Sequence, residues 1–136
     1  MKNNYQVKRS RSGLGLFAKT PIKKGDFIIE YRGKLVKEKD AAYGRYLFSV
    51  NSRWVVDGSG RKNLARYINH SCRPNCEPEI EGKRIMIYAK KNIKPGEELN
   101  YDYGKEYFDE YIKPRGCRCR RCQEKKNQSS PNLLAS

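Results

Sequence analysis

Apolar positions along this chain come in short runs bounded by glycine, proline and asparagine, not in stripes of helical period. Residues 27–31, 46–50, 54–57 and 84–89 are rich in β-branched and aromatic side chains, which suit a pleated surface, and each predicts a strand. Helix is scarce. The best candidates are a short turn over 63–68 and an aromatic-acidic segment over 106–112, where Tyr107 and Tyr111, and Phe108 and Ile112, stand four apart. The pattern predicts a mainly β fold of several small sheets. Two stretches also resemble each other, Ala18-Lys19-Thr20-Pro21-Ile22-Lys23-Lys24-Gly25-Asp26 and Ala89-Lys90-Lys91-Asn92-Ile93-Lys94-Pro95-Gly96-Glu97. Their shared Ile-Lys-x-Gly-acid unit predicts strand, tight turn and strand, with the glycine at positive φ. Two copies are too few for a solenoid and predict two similar β-corners.

The chain's 136 residues fit one domain. No apolar run approaches the roughly 18 residues of a membrane span, and Met1-Lys2-Asn3-Asn4-Tyr5 lacks the apolar stretch of a secretory signal, so a soluble, intracellular protein with no membrane partner is expected. The formal charge of +15, from 30 basic and 15 acidic side chains, implies attraction to a polyanion, nucleic acid being the usual one. That excess is uneven: residues 113–126 are strongly basic, whereas 97–110 are acidic with only Lys105 as a cation. Five cysteines without an export signal argue for a metal site or buried thiols, not a disulfide framework. Cys117, Cys119 and Cys122 lie so close that their thiolates repel, and Zn2+ stabilises such a group with four ligands, so a fourth must come from elsewhere. The alternative is an arginine-rich tail with free thiols. Beyond Cys122 the chain is polar, and 127–136 is expected to be disordered.

Chemistry concentrates in Arg66-Tyr67-Ile68-Asn69-His70-Ser71-Cys72-Arg73-Pro74-Asn75-Cys76, which holds the only histidine. Its amides and guanidinium, fixed by a Pro-Asn turn, can bind a polar zwitterion. Downstream, Gly96-Glu97-Glu98-Leu99-Asn100-Tyr101-Asp102-Tyr103 puts two tyrosines on one side of an extended chain. Taken singly, each residue reads as a turn or a strand aromatic; together the two segments suggest a site.

Taken in order, Gly13-Leu14-Gly15, then Asn69-His70-Ser71-Cys72-Arg73-Pro74-Asn75, then Gly96-Glu97-Glu98-Leu99-Asn100-Tyr101-Asp102-Tyr103 resemble the SET-domain protein lysine methyltransferases. The resemblance implies a SET domain over 5–112 with a C-terminal pseudoknot, a post-SET zinc-binding segment over 113–126, and the tail beyond. It implies methyl transfer from S-adenosylmethionine to a lysine amine, with Tyr31, Tyr101 and Tyr103 lining the lysine channel and Tyr103 as the catalytic tyrosine. It also implies cofactor binding by Gly13, Leu14, Gly15, Arg66, Asn69 and His70, with Arg66 on the methionine carboxylate and Asn69 on the ammonium. His70 would act through its backbone on the adenine, a structural imidazole being the alternative. Zn2+ would be held by Cys72, Cys117, Cys119 and Cys122, although the last cysteine interval is shorter than the common one. Asn75 and Asp102 are expected to hold the threaded loops, and tyrosine at position 101 implies mono- to dimethylation.

The implied partner is a basic protein of histone or nucleoid type, with nucleic-acid contact through the basic tail and a location at the nucleus, chromosome or nucleoid. Glu77, Glu79 and Glu81 alternate, so as a strand they share one face and, with Glu106, Asp109 and Glu110, could cradle a cationic peptide; a solvated strand edge is the plainer reading. Two rival functions are a noncatalytic zinc-containing nucleic-acid-binding or chromatin-binding module, which leaves the first 110 residues unexplained, and a SET fold that binds without turnover.

Overall fold

The computed structural model describes residues 4–11, 13–41 and 46–104. Over these the chain forms strands, turns and two 3-10 helices, with no α-helix. In chain order the strands are β1 (Tyr5–Ser10), β2 (Gly13–Ala18), β3 (Phe27–Tyr31), β4 (Lys34–Lys37) and β5 (Leu47–Ser49). They continue with β6 (Trp54–Asp57), β7 (Asn69–His70), β8 (Cys76–Glu81), β9 (Arg84–Ala89) and β10 (Asn100–Tyr101). The turn expected over 63–68 is a 3-10 helix, Leu64–Tyr67. The helix expected over 106–112, the segment 113–126 and the tail 127–136 lie outside the described residues.

Four small sheets result: the ribbon β1-β2, the sheets β3-β9-β8 and β4-β6-β5, and the parallel pair β7-β10. Central β9 alternates buried and less buried positions, turning Ile85, Ile87 and Ala89 inward. They meet Leu16 from the ribbon, Ile68 from the chain after the 3-10 helix, and Ile22, Ile93 and Leu99 from the corners and the segment following them. Burying each large aliphatic side chain is worth roughly 1.5–3 kcal/mol, and this shared core joins the four sheets. Strands β1 and β4 lack a clear apolar run because they are half-exposed: β1 contributes Tyr5 and Val7 to the core's margin, and β4 only Leu35.

The two similar stretches pack against each other as a pseudo-symmetric pair. Ile22 and Ile93 exchange both backbone hydrogen bonds, at 2.9 and 2.8 Å. Gly25 N–H donates to Ala89 O as Gly96 N–H donates to Ala18 O, both at 2.8 Å, and Ala89 N–H reaches Asp26 O as Ala18 N–H reaches Glu97 O. Gly25 and Gly96 have φ of 91° and 89°, the conformation their turns require. The repeated corners therefore supply each other's hydrogen-bond partners.

Gly58 sits directly after β6 and against the Tyr31 ring. A Cβ there would overlap Tyr31 and the Asn63 amide, whereas one at Gly60 would meet nothing within 4 Å. Gly58→Ala should therefore cost about 1–3 kcal/mol by overpacking, and Gly60→Ala should change stability by less than about 0.5 kcal/mol. Urea unfolding of the two variants checks this; equal midpoints would contradict the packing of Tyr31 on Gly58.

Candidate active site at the junction of β7 and β10

Strands β7 and β10 bring the two chemistry-rich segments side by side, with Asn69 opposite Asn100 and His70 opposite Tyr101. The pair is short, and side chains extend it. Asn75 Oδ1 accepts from Asn100 N–H and Asn100 Oδ1 accepts from Asn75 N–H, both at 2.9 Å, while Asn75 Nδ2 donates to Glu98 O at 2.9 Å. Two asparagines thus mimic further rungs of backbone pairing, and Asn75 holds the segments together as expected. Asn100 has the same role, although no sequence signal marked it. Asp102 instead accepts from Gly104 N–H at 2.9 Å, closing a local turn.

The Tyr103 hydroxyl donates to Ile68 O, and its ring packs against Tyr101 at 4.9 Å and His70 at 5.4 Å between centroids. Tyr101 and Tyr103 thus lie on one side of the chain. Tyr101 and Tyr31 are each 5% exposed, and Phe48 stands between them, with ring centroids 6.1 and 5.3 Å away. Tyr31 Oη donates to Tyr46 O at 2.7 Å. The aromatic run Tyr31, Phe48, Tyr101, Tyr103 includes one ring, Phe48, that strand propensity alone did not distinguish.

Next to Ile68, the Asn69 amide faces the ribbon. Its Nδ2 donates to Leu14 O at 3.1 Å and to Glu98 Oε2 at 2.8 Å. Both partners are acceptors, so the amide orientation is dictated: the NH2 points at them, and Oδ1 is the end left to meet a donor. Ser10 Oγ donates to the same carboxylate at 2.9 Å. Gly13 has φ of 117° and open space beside it, while a Cβ at Gly15 would overlap Glu98 Oε2. The two glycines therefore do different things, one permitting the ribbon turn and the other making room for a carboxylate. The Leu14 side chain is exposed; its backbone oxygen is what engages the site.

Arg66, on the 3-10 helix, has its guanidinium between the Tyr46 and Tyr67 rings, at 4.9 and 5.0 Å from their centroids, and Nη1 donates to Ser59 O. Its Nε is buried and has no partner among the described residues.

Tyr103 N–H donates to His70 Nδ1 at 3.1 Å, so that nitrogen carries no proton. The proton sits on Nε2, 3.4 Å from Cys72 Sγ, and Asp102, 3.9 Å from Nδ1, is a neighbour and not an ion-pair partner. Burial holds the imidazole below its usual value, opposed by the Asp102 charge. The imidazole thus ties β7 to the backbone that follows β10. The two nearby thiols differ: Cys76 is fully buried and its pKa is pushed up to about 12 by desolvation, which opposes the thiolate a metal needs, whereas Cys72 is half-buried. Cys117, Cys119 and Cys122 lie outside the described residues, and no metal-binding cluster occurs among the described ones.

On the outer face of β8, Glu77, Glu79 and Glu81 are exposed and share one side with Tyr88, Met86 and Arg84 of β9. Arg84 pairs with Glu30 across the sheet at 2.7 Å, and of the three glutamates Glu81 accepts a hydrogen bond from Tyr88 Oη. Glu106, Asp109 and Glu110 lie outside the described residues. No helix among the described residues is long and apolar enough to cross a membrane.

A family model described as SET domain matches residues 13–104. Histone-lysine N-methyltransferase trr of Drosophila melanogaster is 40% identical over 139 residues, which cover 90% of this chain and 6% of that protein. Histone-lysine N-methyltransferase, H3 lysine-4 specific, of Schizosaccharomyces pombe is 46% identical over 105 residues, 66% of this chain and 11% of that protein. The chain therefore spans a small part of the length of these relatives. The fold is similar to that of KRYPTONITE, crystallised in complex with mCHH DNA, H3(1-15) peptide and SAH, with a TM-score of 0.67 and 31% identity over 77% of this chain and 24% of that one.

Because His70 is the only histidine, its ring can be followed directly by NMR. The expected result is the Nε2–H tautomer and a titration midpoint below 6.5. The unfolded chain binds this proton more readily, so the stability contributed here is complete above 6.5 and declines as pH falls toward the lower folded value. An Nδ1–H tautomer would contradict the Tyr103–His70 hydrogen bond, and a midpoint at or above 6.5 would contradict the desolvation of the buried ring.

Proposed function

Since this chain belongs to the SET-domain family, we propose that it transfers a methyl group from S-adenosylmethionine to the side-chain amine of a lysine in a basic protein, histone H3 being the leading candidate. One observation carries the reading. Leu14 O accepts from Asn69, and the carbonyl of the preceding residue, Ile68, accepts from Tyr103, so two hydrogen bonds link the glycine-containing ribbon to the phenol. A cofactor end and a lysine end are thereby joined through one short stretch of backbone.

The residues present fit a zwitterionic nucleoside. The buried Arg66 Nε lacks a partner among the described residues and suits a carboxylate, and Asn69 Oδ1 suits an ammonium. Gly13 leaves open space beside the ribbon, Gly15 makes room there for the Glu98 carboxylate, and the His70 backbone is assigned to the adenine. When bound, S-adenosylmethionine supplies a sulfonium methyl open to in-line attack. The protein's task is to present an uncharged amine. A free lysine has a pKa of about 10.4, and a dry aromatic channel beside a cation favours the neutral form. Tyr101 and Tyr103 wall that channel, with Tyr31 behind Phe48. The Tyr103 hydroxyl proton is committed to Ile68 O, so the phenol meets the amine and the methyl as an acceptor.

Tyr101 is assigned to limiting the product to one or two methyl groups, since its hydroxyl can hold a water where a methylated amine would need room. Cys72 is assigned as one of four ligands of a structural Zn2+, with Cys117, Cys119 and Cys122, and the basic segment 113–126 as a nucleic-acid contact. A histone substrate places the protein at chromatin. Glu77, Glu79 and Glu81 are solvated at a strand edge, and the same face is available to a cationic peptide.

Transfer of labelled methyl from S-adenosylmethionine to recombinant histones tests this, with products mapped by mass spectrometry. Tyr103→Phe should lower the rate about 100-fold, the scale of removing one preorganised polar group at a transition state. Tyr101→Phe should retain activity and raise the methylation number. Undiminished transfer by Tyr103→Phe would contradict the assigned role, and an unchanged product distribution would remove the assignment of Tyr101.

A further inference from the structure

Glu98 is the polar group at the site that the proposed chemistry leaves without a task. Its backbone bridges to Phe17 of β2, which carries the side chain onto the ribbon. There the carboxylate accepts from Ser10 Oγ through both oxygens at 2.9 Å and from Asn69 Nδ2 at 2.8 Å. It occupies the space that a side chain at Gly15 would fill. An asparagine amide can sit either way round, and its two ends make opposite demands on a ligand. Here the choice is forced twice, by Leu14 O and by the carboxylate, and the carboxylate is the stronger of the two acceptors.

We propose that Glu98 is a positioning residue that locks the Asn69 amide with Oδ1 toward the ligand, so that the site accepts from the ammonium of the methyl donor's amino-acid head. This inference rests on the cofactor assignment made above. Without Glu98 the amide is held only by Leu14 O, at 3.1 Å, and by the Ser10 hydroxyl, at 3.5 Å and able to donate as well as accept, so the lock weakens and the turned amide, whose NH2 faces a cation with a donor, gains population. Glutamine keeps an acceptor for Asn69 and can donate its own NH2 to Ser10 Oγ, so Glu98→Gln preserves the lock while removing the charge.

The test compares two ligands by calorimetry: S-adenosylmethionine, and 5′-methylthioadenosine, which keeps the nucleoside but lacks the amino-acid head. Glu98→Ala should raise the Kd for S-adenosylmethionine about tenfold or more, as expected for mispairing one charged hydrogen bond. The Kd for 5′-methylthioadenosine should stay within about twofold, and Glu98→Gln should restore S-adenosylmethionine binding to within about threefold of wild type. Ser10→Ala, which leaves the carboxylate in place, should give a smaller loss of the same selectivity and serves if Glu98→Ala does not fold.

Equal weakening of both ligands would mean a purely structural role and overturn the proposal. So would unaltered S-adenosylmethionine binding, or a Glu98→Gln variant as weak as Glu98→Ala, which would point to charge instead of orientation. A wild-type chain that binds neither ligand would refute the cofactor assignment itself, a result distinguishable from any difference among variants.

Discussion

Everything at this site depends on a parallel pairing only two residues long. Parallel strands cannot be joined by a tight turn and need a long crossover; between β7 and β10 that crossover is the β8–β9 hairpin followed by the second β-corner. So short a pair recovers few backbone hydrogen bonds for the entropy of closing such a loop. Asn75 and Asn100 make up the difference by exchanging side-chain bonds with each other's backbone. Removing either side chain would strand a buried partner, at about 1–3 kcal/mol for each unsatisfied group. The corners contribute from below, since the reciprocal Ile22–Ile93 bonds fix where the returning chain emerges.

The same junction determines the electrostatics. Burial favours the neutral His70 ring, and Tyr103 N–H uses its acceptor nitrogen, which points the ring's proton toward Cys72. Tyr103 donates its hydroxyl proton to Ile68 O, and Asn69 donates to Leu14 O of the ribbon and to the Glu98 carboxylate. These donors are thus consumed by the protein, leaving Asn69 Oδ1 and the Tyr103 phenol oxygen as acceptors for a ligand. That bias suits a cationic methyl donor and a lysine amine, and it arises inside a chain whose formal charge is +15.

Much of this was legible in the sequence where local pattern and tertiary demand agree. Strands β3, β6 and β9 coincide with runs of β-branched and aromatic residues, and the 3-10 helix with the expected turn. Gly25 and Gly96 take the positive φ that their shared motif implied. What pattern could not give was pairing. Strands β1 and β4 contribute too few apolar residues to stand out, and nothing local announces that the two corners would bond to each other. Ser10 and Glu98, 88 residues apart, carry no joint signal. The motifs pointed to Asn69 and Tyr103, but not to Ile68 O, the backbone atom that anchors the phenol, because backbone groups leave no mark on a sequence.

The most direct measurement of the central claim is native-state hydrogen exchange at the amides of Ser71, Asn75, Asn100 and Tyr103, each of which donates across the junction. In the wild type these four should open together with a common free energy. In Asn75→Ala all four should lose protection, including Tyr103, which donates to His70 and not to Asn75, while Ile87 in the centre of the β3-β9-β8 sheet stays protected. Retained protection at Ser71 and Tyr103 in that variant would show that the two segments are held independently, and would contradict a single junction as the basis of the site.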